Sequence, residues 1–366
     1  MFAPSAISVR LRHLSLSDLR CHAALQWRCH DGLNVLTGGN GEGKTSVLEA
    51  VCLMSWGRSF RQARDPYLVR HGADMFTITG EWMRYGPMSL TVQGRRGETR
   101  VRLQGQDVRQ RKQLATSFPV VVLAPQAGRL VDGQPNERRR WLNALASIAY
   151  PGFSKRYQQY LRAVMQRSRL LRQGVLRGDA VDGWERTIVE FGLQVASMRA
   201  QLVEELDRWL HGSCLLEQDL SLQLVPDTFE EGSWLSRLRD KRALDARMGT
   251  RIGPHAQRVS LIFQQREIRI SGSRGQQKLA AVALKMAECA LWVRHTGLRP
   301  VLLLDDALEA LDRTRQRRLL DALLRYQGQV MVTAPHLDGA LMSNAEVVQV
   351  RKLAGRAEST NMEEAA

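Results

Sequence analysis

The sequence has little cysteine and places it without order. Cys21, Cys29, Cys52, Cys214 and Cys289 are odd in number and scattered, and no Cys-x-x-Cys pair occurs. A disulfide framework is therefore excluded as the organising device. Cys21-His22 and Cys29-His30 bring metal-ligating residue types together, but their spacing fits no common zinc pattern. No apolar run reaches the length of a membrane span, and Met1 to Leu16 lacks the layout of a signal peptide. A cytoplasmic chain with reduced thiols and no membrane partner is expected. Heptads are not sustained, which excludes long coiled-coil arms, and no internal repeat is evident. Acids are outnumbered: 37 Asp plus Glu stand against 53 Lys plus Arg, a net charge of +16. That excess favours a polyanionic partner, nucleic acid or an acidic membrane face. The 366 residues, 44% of them hydrophobic, suffice for one large or two modest domains with a real core.

Against these absences stands one dense motif. Gly38-Gly39-Asn40-Gly41-Glu42-Gly43-Lys44-Thr45 fits the phosphate-binding loop G-x-x-x-x-G-K-[ST]. Gly32 to Thr37 reads as a short buried strand before it, and Thr45 to Met54 as a helix after it. The glycines let backbone N–H groups, that of Ser46 included, close around phosphates at a helix N-terminus. Lys44 is expected to reach the β- and γ-phosphates of ATP, and Thr45 to place its hydroxyl on Mg²⁺.

Far downstream, Pro300-Val301-Leu302-Leu303-Leu304-Asp305-Asp306 is an aliphatic run ending in two acids. A buried strand that delivers carboxylates at its C-terminal end is the Walker B arrangement. Asp305 is the expected Mg²⁺ residue, and Asp306 sits where a hydrolytic water could be polarised. Between the two motifs, Ser273-Arg274-Gly275-Gln276 opens a helix whose apolar side is Leu279, Val282, Met286 and Val293. A serine hydroxyl and free N–H groups at a helix start again suit a phosphate oxygen.

Taken in order, these motifs resemble the ABC-type ATPase head. Val121 to Gln126 is similar to the strand and glutamine of the Q-loop, which makes Gln126 a coupling residue beside the catalytic pair Lys44 and Asp306. Glu309-Ala310-Leu311-Asp312 resembles the D-loop, Gly328 to Thr333 resembles the last strand before the switch, and His336 is the candidate switch histidine. The resemblance implies that Ser273, Gly275 and Gln276 complete the nucleotide site of a facing subunit. Thr45 and Ser273 lie 228 positions apart, so the head carries an insertion.

Several stretches narrow the resemblance to the RecF family of bacterial recombination-mediator ATPases. They are Gly41 through Ala50, Gly57-Arg58-Ser59-Phe60-Arg61, Glu137-Arg138-Arg139-Arg140-Trp141-Leu142, Gly253-Pro254-His255, and Ser273 through Glu288. Pro125-Gln126-Ala127 departs from the acidic pair expected there and keeps the glutamine of generic heads. The implied fold is α/β: an ABC-type ATPase head, a P-loop mixed sheet with helices, carrying an inserted helical lobe. Residues 1–133 and 251–352 are expected to form the ATPase lobe, 134–250 the inserted basic lobe and 353–366 a flexible tail. Membership would further imply an ATP-driven homodimer, RecR and RecO partners, and recombinase loading at single-strand gaps.

Charge distribution bears on the partner. From Arg138 to Gly178 there are ten Arg or Lys and no acid. Tyr157, Tyr160, Leu161, Val164, Leu170 and Leu171 supply an apolar side, so the region reads as basic amphipathic helices. Arg138, Arg139, Arg140, Arg167, Arg169 and Arg172 are the candidate contacts to duplex or junction DNA. A second cationic cluster, including Arg95, Arg100 and Arg102, falls in a stretch of the first lobe that reads as a hairpin and is an alternative track. Two rival readings remain: the ATPase head of a transporter or membrane-associated complex, and a nucleotide-binding scaffold without useful turnover.

Overall fold

A computed structural model of the chain describes residues 6–61, 67–95, 98–124, 130–213, 215–216, 220–225, 229–309 and 311–335, and the backbone of 346–349 and 358–360. Two compact units emerge. One comprises Met1–Gly128, Cys214–Glu217 and Ser273–Ala366; the other comprises Arg129–Ser213 and Gln218–Gly272.

Among the described residues the first unit holds two six-stranded sheets and one short two-stranded pairing. Its strands are β1 (Ile7–Ser8), β2 (Arg10–Leu19), β3 (His22–Arg28), β4 (Leu33–Thr37), β5 (Phe76–Met83), β6 (Pro87–Arg95), β7 (Glu98–Leu103), β8 (Gln106–Asp107) and β9 (Val120–Leu123). Its first helices are α1 (Lys44–Trp56) and α2 (Arg111–Ser117). The antiparallel sheet runs in the order β3-β2-β5-β6-β7-β8. Alternate residues such as Leu14, Leu16, Ile78, Trp82, Leu90 and Val92 are buried, while Ser15, Ser17, Thr77 and Thr79 face away from that core, the period-2 signature of a sheet covered on one side.

What covers it is α1. Every residue from Ser46 to Ser55 is buried, polar ones included, because α1 packs on β5 and β6 of this sheet and on β9 and β15 (Val330–Ala334) of the other. A helix buried on all sides carries no polar face, and Val47 to Met54 reads accordingly. Close approach is needed as well: a Cβ at Gly80 would collide with the Met54 sulfur. Glu49 is wholly buried in α1 and is held by both ends of the Arg20 guanidinium, at 2.9 and 2.8 Å, and by the Ser59 hydroxyl.

The second sheet is parallel apart from its last strand. In the order β17-β16-β4-β15-β14-β9 it aligns β4, β9, β14 (Val301–Leu304), β15 and β16 (Glu346–Gln349), with β17 (Glu358–Thr360) antiparallel at the edge. Three residues of the segment expected to be a tail thus pair with β16; the rest of 353–366 lies outside the described residues. The remaining elements of this unit are α9 (Arg274–Thr296), β13 (Leu298–Arg299), which pairs with β1, and α10 (Arg313–Leu324). Cys52 and Cys289 are fully buried.

The other unit contains α3 (Pro135–Ala149), α4 (Phe153–Arg172), α5 (Asp179–His211), β10 (Leu220–Val225), α6 (Glu231–Asp240), α7 (Arg242–Met248), β11 (Arg258–Phe263), β12 (Arg266–Glu267) and α8 (Ile268–Ser271). It is not purely helical, since β10-β11-β12 form a three-stranded antiparallel sheet. This unit also takes residues 129–133 and 251–272, beyond the 134–250 expected of it. The reason is local: β10 pairs with β11 along its whole length, and Arg138 ties α3 to the Gly133 and Val259 carbonyls. Its core is aromatic, with Tyr160 against Trp234 and His255. His255 accepts from the Tyr160 hydroxyl on Nδ1 and donates from Nε2 to the Thr250 carbonyl, a packing role.

Arg167 anchors a buried ion network. Its guanidinium reaches Glu185 at 2.9 Å, Asp245 at 2.8 Å, Thr250 at 2.7 Å and the Leu238 carbonyl at 2.5 Å. Arg242 adds a second cation on Glu185 and Asp182. Removing one member strands buried charge on the others, so Arg167→Met should lower stability by ~3–5 kcal/mol. The exposed neighbour change Arg169→Ala should stay within ~0.5 kcal/mol. Urea unfolding of the two variants checks this, and equal losses would show that the network is not what holds the unit together.

Candidate nucleotide site

The P-loop joins β4 to α1, and its last glycine is a requirement of space as well as of backbone. Gly43 sits at φ 96, a left-handed conformation, and a Cβ there would collide with the Cys21 thiol and the His22 ring. His22 is buried with Nε2 3.1 Å from the Gly43 carbonyl. The adjacent Cys21 and His22 thus serve as a wall beneath the loop. Lys44 bends back over the loop, its Nζ donating to the carbonyls of Gly38 at 2.6 Å and Gly39 at 2.9 Å. The Gly39 N–H donates to the Glu42 carboxylate at 2.6 Å, so the loop carries its own anion on one of its donors.

Sheet order brings the second half of the site alongside. β14 lies next to β15, and β15 next to β4, so Asp305 emerges near the P-loop at the carboxyl ends of parallel strands. The Thr45 hydroxyl donates to Asp305 Oδ1 at 2.9 Å across a sequence separation of 260. Thr333, fully buried on β15, donates to the same oxygen at 2.9 Å and lies 3.2 Å from Asp306 Oδ1. The Asp306 amide in turn donates to Thr333 Oγ1 at 2.8 Å. That bond holds Asp306 at φ 51, a strained backbone for a residue with a side chain. Burial raises the Asp305 carboxyl above its usual range, while the Thr333 and Thr45 hydroxyls and the Arg61 charge pull the other way. The donor set fits a hard cation: Thr45 can keep its proton on Asp305 and still offer an oxygen lone pair, which suits Mg²⁺.

Ser273 caps α9 in a reciprocal box. Its hydroxyl accepts from the Gln276 amide at 3.3 Å, and Gln276 Oε1 accepts from the Ser273 N–H at 2.8 Å. Ser273 is exposed, and Gly275, two residues on, is buried. Lys278 on the same helix donates to the Glu309 carbonyl at 2.7 Å, tying the signature helix to the D-loop, and burial lowers its pKa. Asp312 ends the D-loop by capping α10 through the Arg315 amide at 2.9 Å. Gln126 and His336 lie outside the described residues.

With this geometry in view, the comparisons are specific. The RecF/RecN/SMC N terminal domain family matches residues 10–358. DNA replication and repair protein RecF of Stenotrophomonas maltophilia is 33% identical over 360 residues, 93% of this chain and 97% of that one. Its counterpart in Gloeobacter violaceus is 33% identical over 365 residues, with the same coverage. The chain belongs to the RecF family. Among solved structures, the recombination mediator protein RecF-ATP in the RecFOR pathway superposes with a TM-score of 0.76, at 22% identity over 99% of this chain and all of that one. An Smc head domain with an extended coiled coil, bound to the C-terminal domain of ScpA and derived from Pyrococcus furiosus, follows at 0.64, 16% identity and 98% of each chain. The fold is therefore the α/β ABC-type ATPase head of the RecF and SMC proteins.

Two of the candidate DNA contacts are corrected. Arg167 is wholly buried in its ion network, and Arg138 is 5% exposed with Nε on the Val259 carbonyl at 2.6 Å. On α4 the inward row is Tyr160, Ala163, Val164, Arg167 and Leu171, so helical spacing places this cation among the apolar residues. Arg139 is half-buried and donates to the Gln257 carbonyl at 3.3 Å. Arg140, Arg169 and Arg172 are exposed, as are Lys155 and Arg162, which share the outer row of α4 at seven-residue spacing with Arg169. In the alternative track, Arg100 pairs with Glu98 at 3.7 Å and Arg102 with Asp107 at 3.0 Å.

The sequence alone presents Thr333 only as part of a strand and hides its role. The signal was present: a single hydroxyl in the otherwise aliphatic Val330-Met331-Val332-Thr333-Ala334. Thr333→Val should remove the hydroxyl that donates to Asp305 and leave the Asp306 amide without its acceptor, a loss of roughly 1–3 kcal/mol by thermal unfolding. Nucleotide affinity measured with Mg²⁺ should fall alongside. Unchanged stability and affinity would show that Thr333 does not set the carboxylates.

Proposed function

We propose that this chain is an ATP-controlled DNA-binding protein of recombinational repair, working as a dimer that ATP closes and slow hydrolysis reopens. The observation that carries the reading is the joined half-site of Lys44, Thr45, Asp305 and Asp306, together with an exposed Ser273 at a helix start. Gly275 supports the second half. A Cβ there would meet its own chain only at 3.5 Å or more, so internal packing does not call for glycine. A glycine in a helix costs about 1 kcal/mol against alanine, and the close approach of an outside phosphate explains keeping it.

In this reading Lys44 leaves the Gly38 and Gly39 carbonyls for the β- and γ-phosphates, Thr45 and Asp305 would hold Mg²⁺, and Asp306 polarises the attacking water. Gln126 couples the γ-phosphate to the rest of the head, and Ser273, Gly275 and Gln276 of the facing copy close the site. When bound there, Mg²⁺ would supply neutralisation of the phosphate charge. Micromolar Asp306→Asn protein should shift from monomer to dimer on sizing with ATP, whereas Lys44→Ala should lose nucleotide binding. Ser273→Arg should bind nucleotide and stay monomeric. A monomer in every case at saturating ATP would sink the composite site.

DNA contact is assigned to the outer row of α4 with Arg140, as sequence-independent phosphate binding to duplex or duplex–single-strand junctions. RecR- and RecO-type partners, recombinase loading at gaps, an SOS role and a cytoplasmic setting follow from the family and stand with it. Reversing Arg140, Arg169 and Arg172 to Glu, with Arg167 untouched, should weaken DNA binding and flatten its salt dependence, by a slope of about 0.9 for each phosphate no longer neutralised. ATP-driven dimerisation should persist. Unaltered affinity and slope would move the track to the Arg95 to Arg102 hairpin.

A further inference from the structure

Arg10 at the start of β2, Arg84 just after β5 and Arg299 on β13, at the end of β14 away from Asp305, converge on one open cleft of about 500 Å³. Arg299 precedes β14, some six residues and therefore roughly 20 Å along the strand from the carboxylate pair. The pairing of β1 with β13 sets Ser8 beside Arg299, and the pairing of β2 with β5 sets Arg10 beside Met83, next to Arg84. Register thus brings Arg10, Arg84 and Arg299 to one place.

Their bonding is unusual. Arg299 is 3% exposed, and its Nη1 donates to the carbonyl and Oε1 of Gln327, at 2.7 and 3.2 Å. Arg10 spends Nη1 on Asp31 at 2.5 Å, but its Nε is buried with no hydrogen-bond partner. The Arg84 guanidinium carbon lies over the Tyr85 ring at 4.9 Å from its centroid, and the Arg84 Nε is likewise buried without a partner. Buried N–H donors left unsatisfied are costly, so two at one cleft ask for an acceptor. Among the described residues no carboxylate lines the cleft.

We propose that this cleft binds a phosphate group, at a site separate from the P-loop. Guanidinium forks match the oxygens of phosphate, and one tetrahedral group can accept from several of them at once. The volume lies within the range of about 300–1,000 Å³ common for small-ligand sites, room for more than a bare ion. Tyr85 does not line the cleft, but it follows Arg84 and at 76% exposed is open to a base, so the phosphate is that of a nucleotide, free or at the end of a strand.

The test uses the full chain carrying Lys44→Ala, which silences the P-loop, with and without Arg10→Gln and Arg84→Gln. Pyrophosphate is titrated at constant ionic strength and read by thermal unfolding and ³¹P line broadening. A saturable response that weakens roughly tenfold or more in the glutamine variant supports the site. No saturable response, or identical curves in both proteins, overturns it. ATP binding by Arg10→Gln/Arg84→Gln in the Lys44 chain serves as the folding control. If that pair does not fold, Arg84→Gln alone must weaken pyrophosphate, and failure to do so overturns the site. The source is read with matched oligonucleotides. Tighter binding of a 5′-phosphorylated strand than its 5′-hydroxyl twin, with the gain lost in the glutamine variant, assigns a strand end. Equal binding of both strands, with pyrophosphate still bound, assigns a free nucleotide.

Discussion

Burial of α1 between two sheets is the constraint from which the site follows. A helix enclosed on every side can start in only one place, so the P-loop that leads into it is held against the Cys21 and His22 wall, and Thr45 is delivered to Asp305. Glu49 makes this arrangement demanding. A fully buried carboxylate needs its charge and lone pairs met, and Arg20 and Ser59 do so together. Meeting them also fixes the chain just after α1, where Arg61 lies close enough to act on the Asp305 carboxyl. One buried acid therefore links the sheet packing, the loop after α1 and the electrostatics around Asp305.

The carboxylate pair depends on a different kind of constraint, the adjacency of parallel strands. β9, β14 and β15 come from residues near 120, 300 and 330, yet their register aligns Leu123, Leu304 and Val332. Past that register the backbone of Asp306 turns to a positive φ, and the Thr333 hydroxyl, one step along β15, holds it there. Strain is kept where two acids must stand side by side with distinct surroundings: Asp305 buried between two hydroxyls, Asp306 half-open beyond it.

The arginine-rich unit shows how one residue type divides its work by direction. On α4 the outward row leaves its cations in solvent, whereas the inward row uses Arg167 as the hub of a buried network. Arg138 does similar work with carbonyls, and Arg199 joins Asn143 to the Pro254 carbonyl. A chain this basic therefore spends part of its positive charge inside, where it specifies packing and cannot meet a polyanion.

The sequence by itself determined what is local. Gly38 to Thr45 with its strand and helix, the aliphatic run before Asp305, and the Ser273 cap with Gln276 three residues on are short-range patterns whose physics is complete within a few residues. Tertiary structure decided the rest. Net charge in a window carries no direction, so which arginines face solvent waited on the packing of α4 against α5 and α7. A lone hydroxyl in a strand has no partner until a strand from elsewhere lies beside it, which hid the role of Thr333. The bounds of the second unit were likewise hidden, because pairing of β10 with β11 joins residues some forty apart, and such pairing is set by the sheet rather than by either segment.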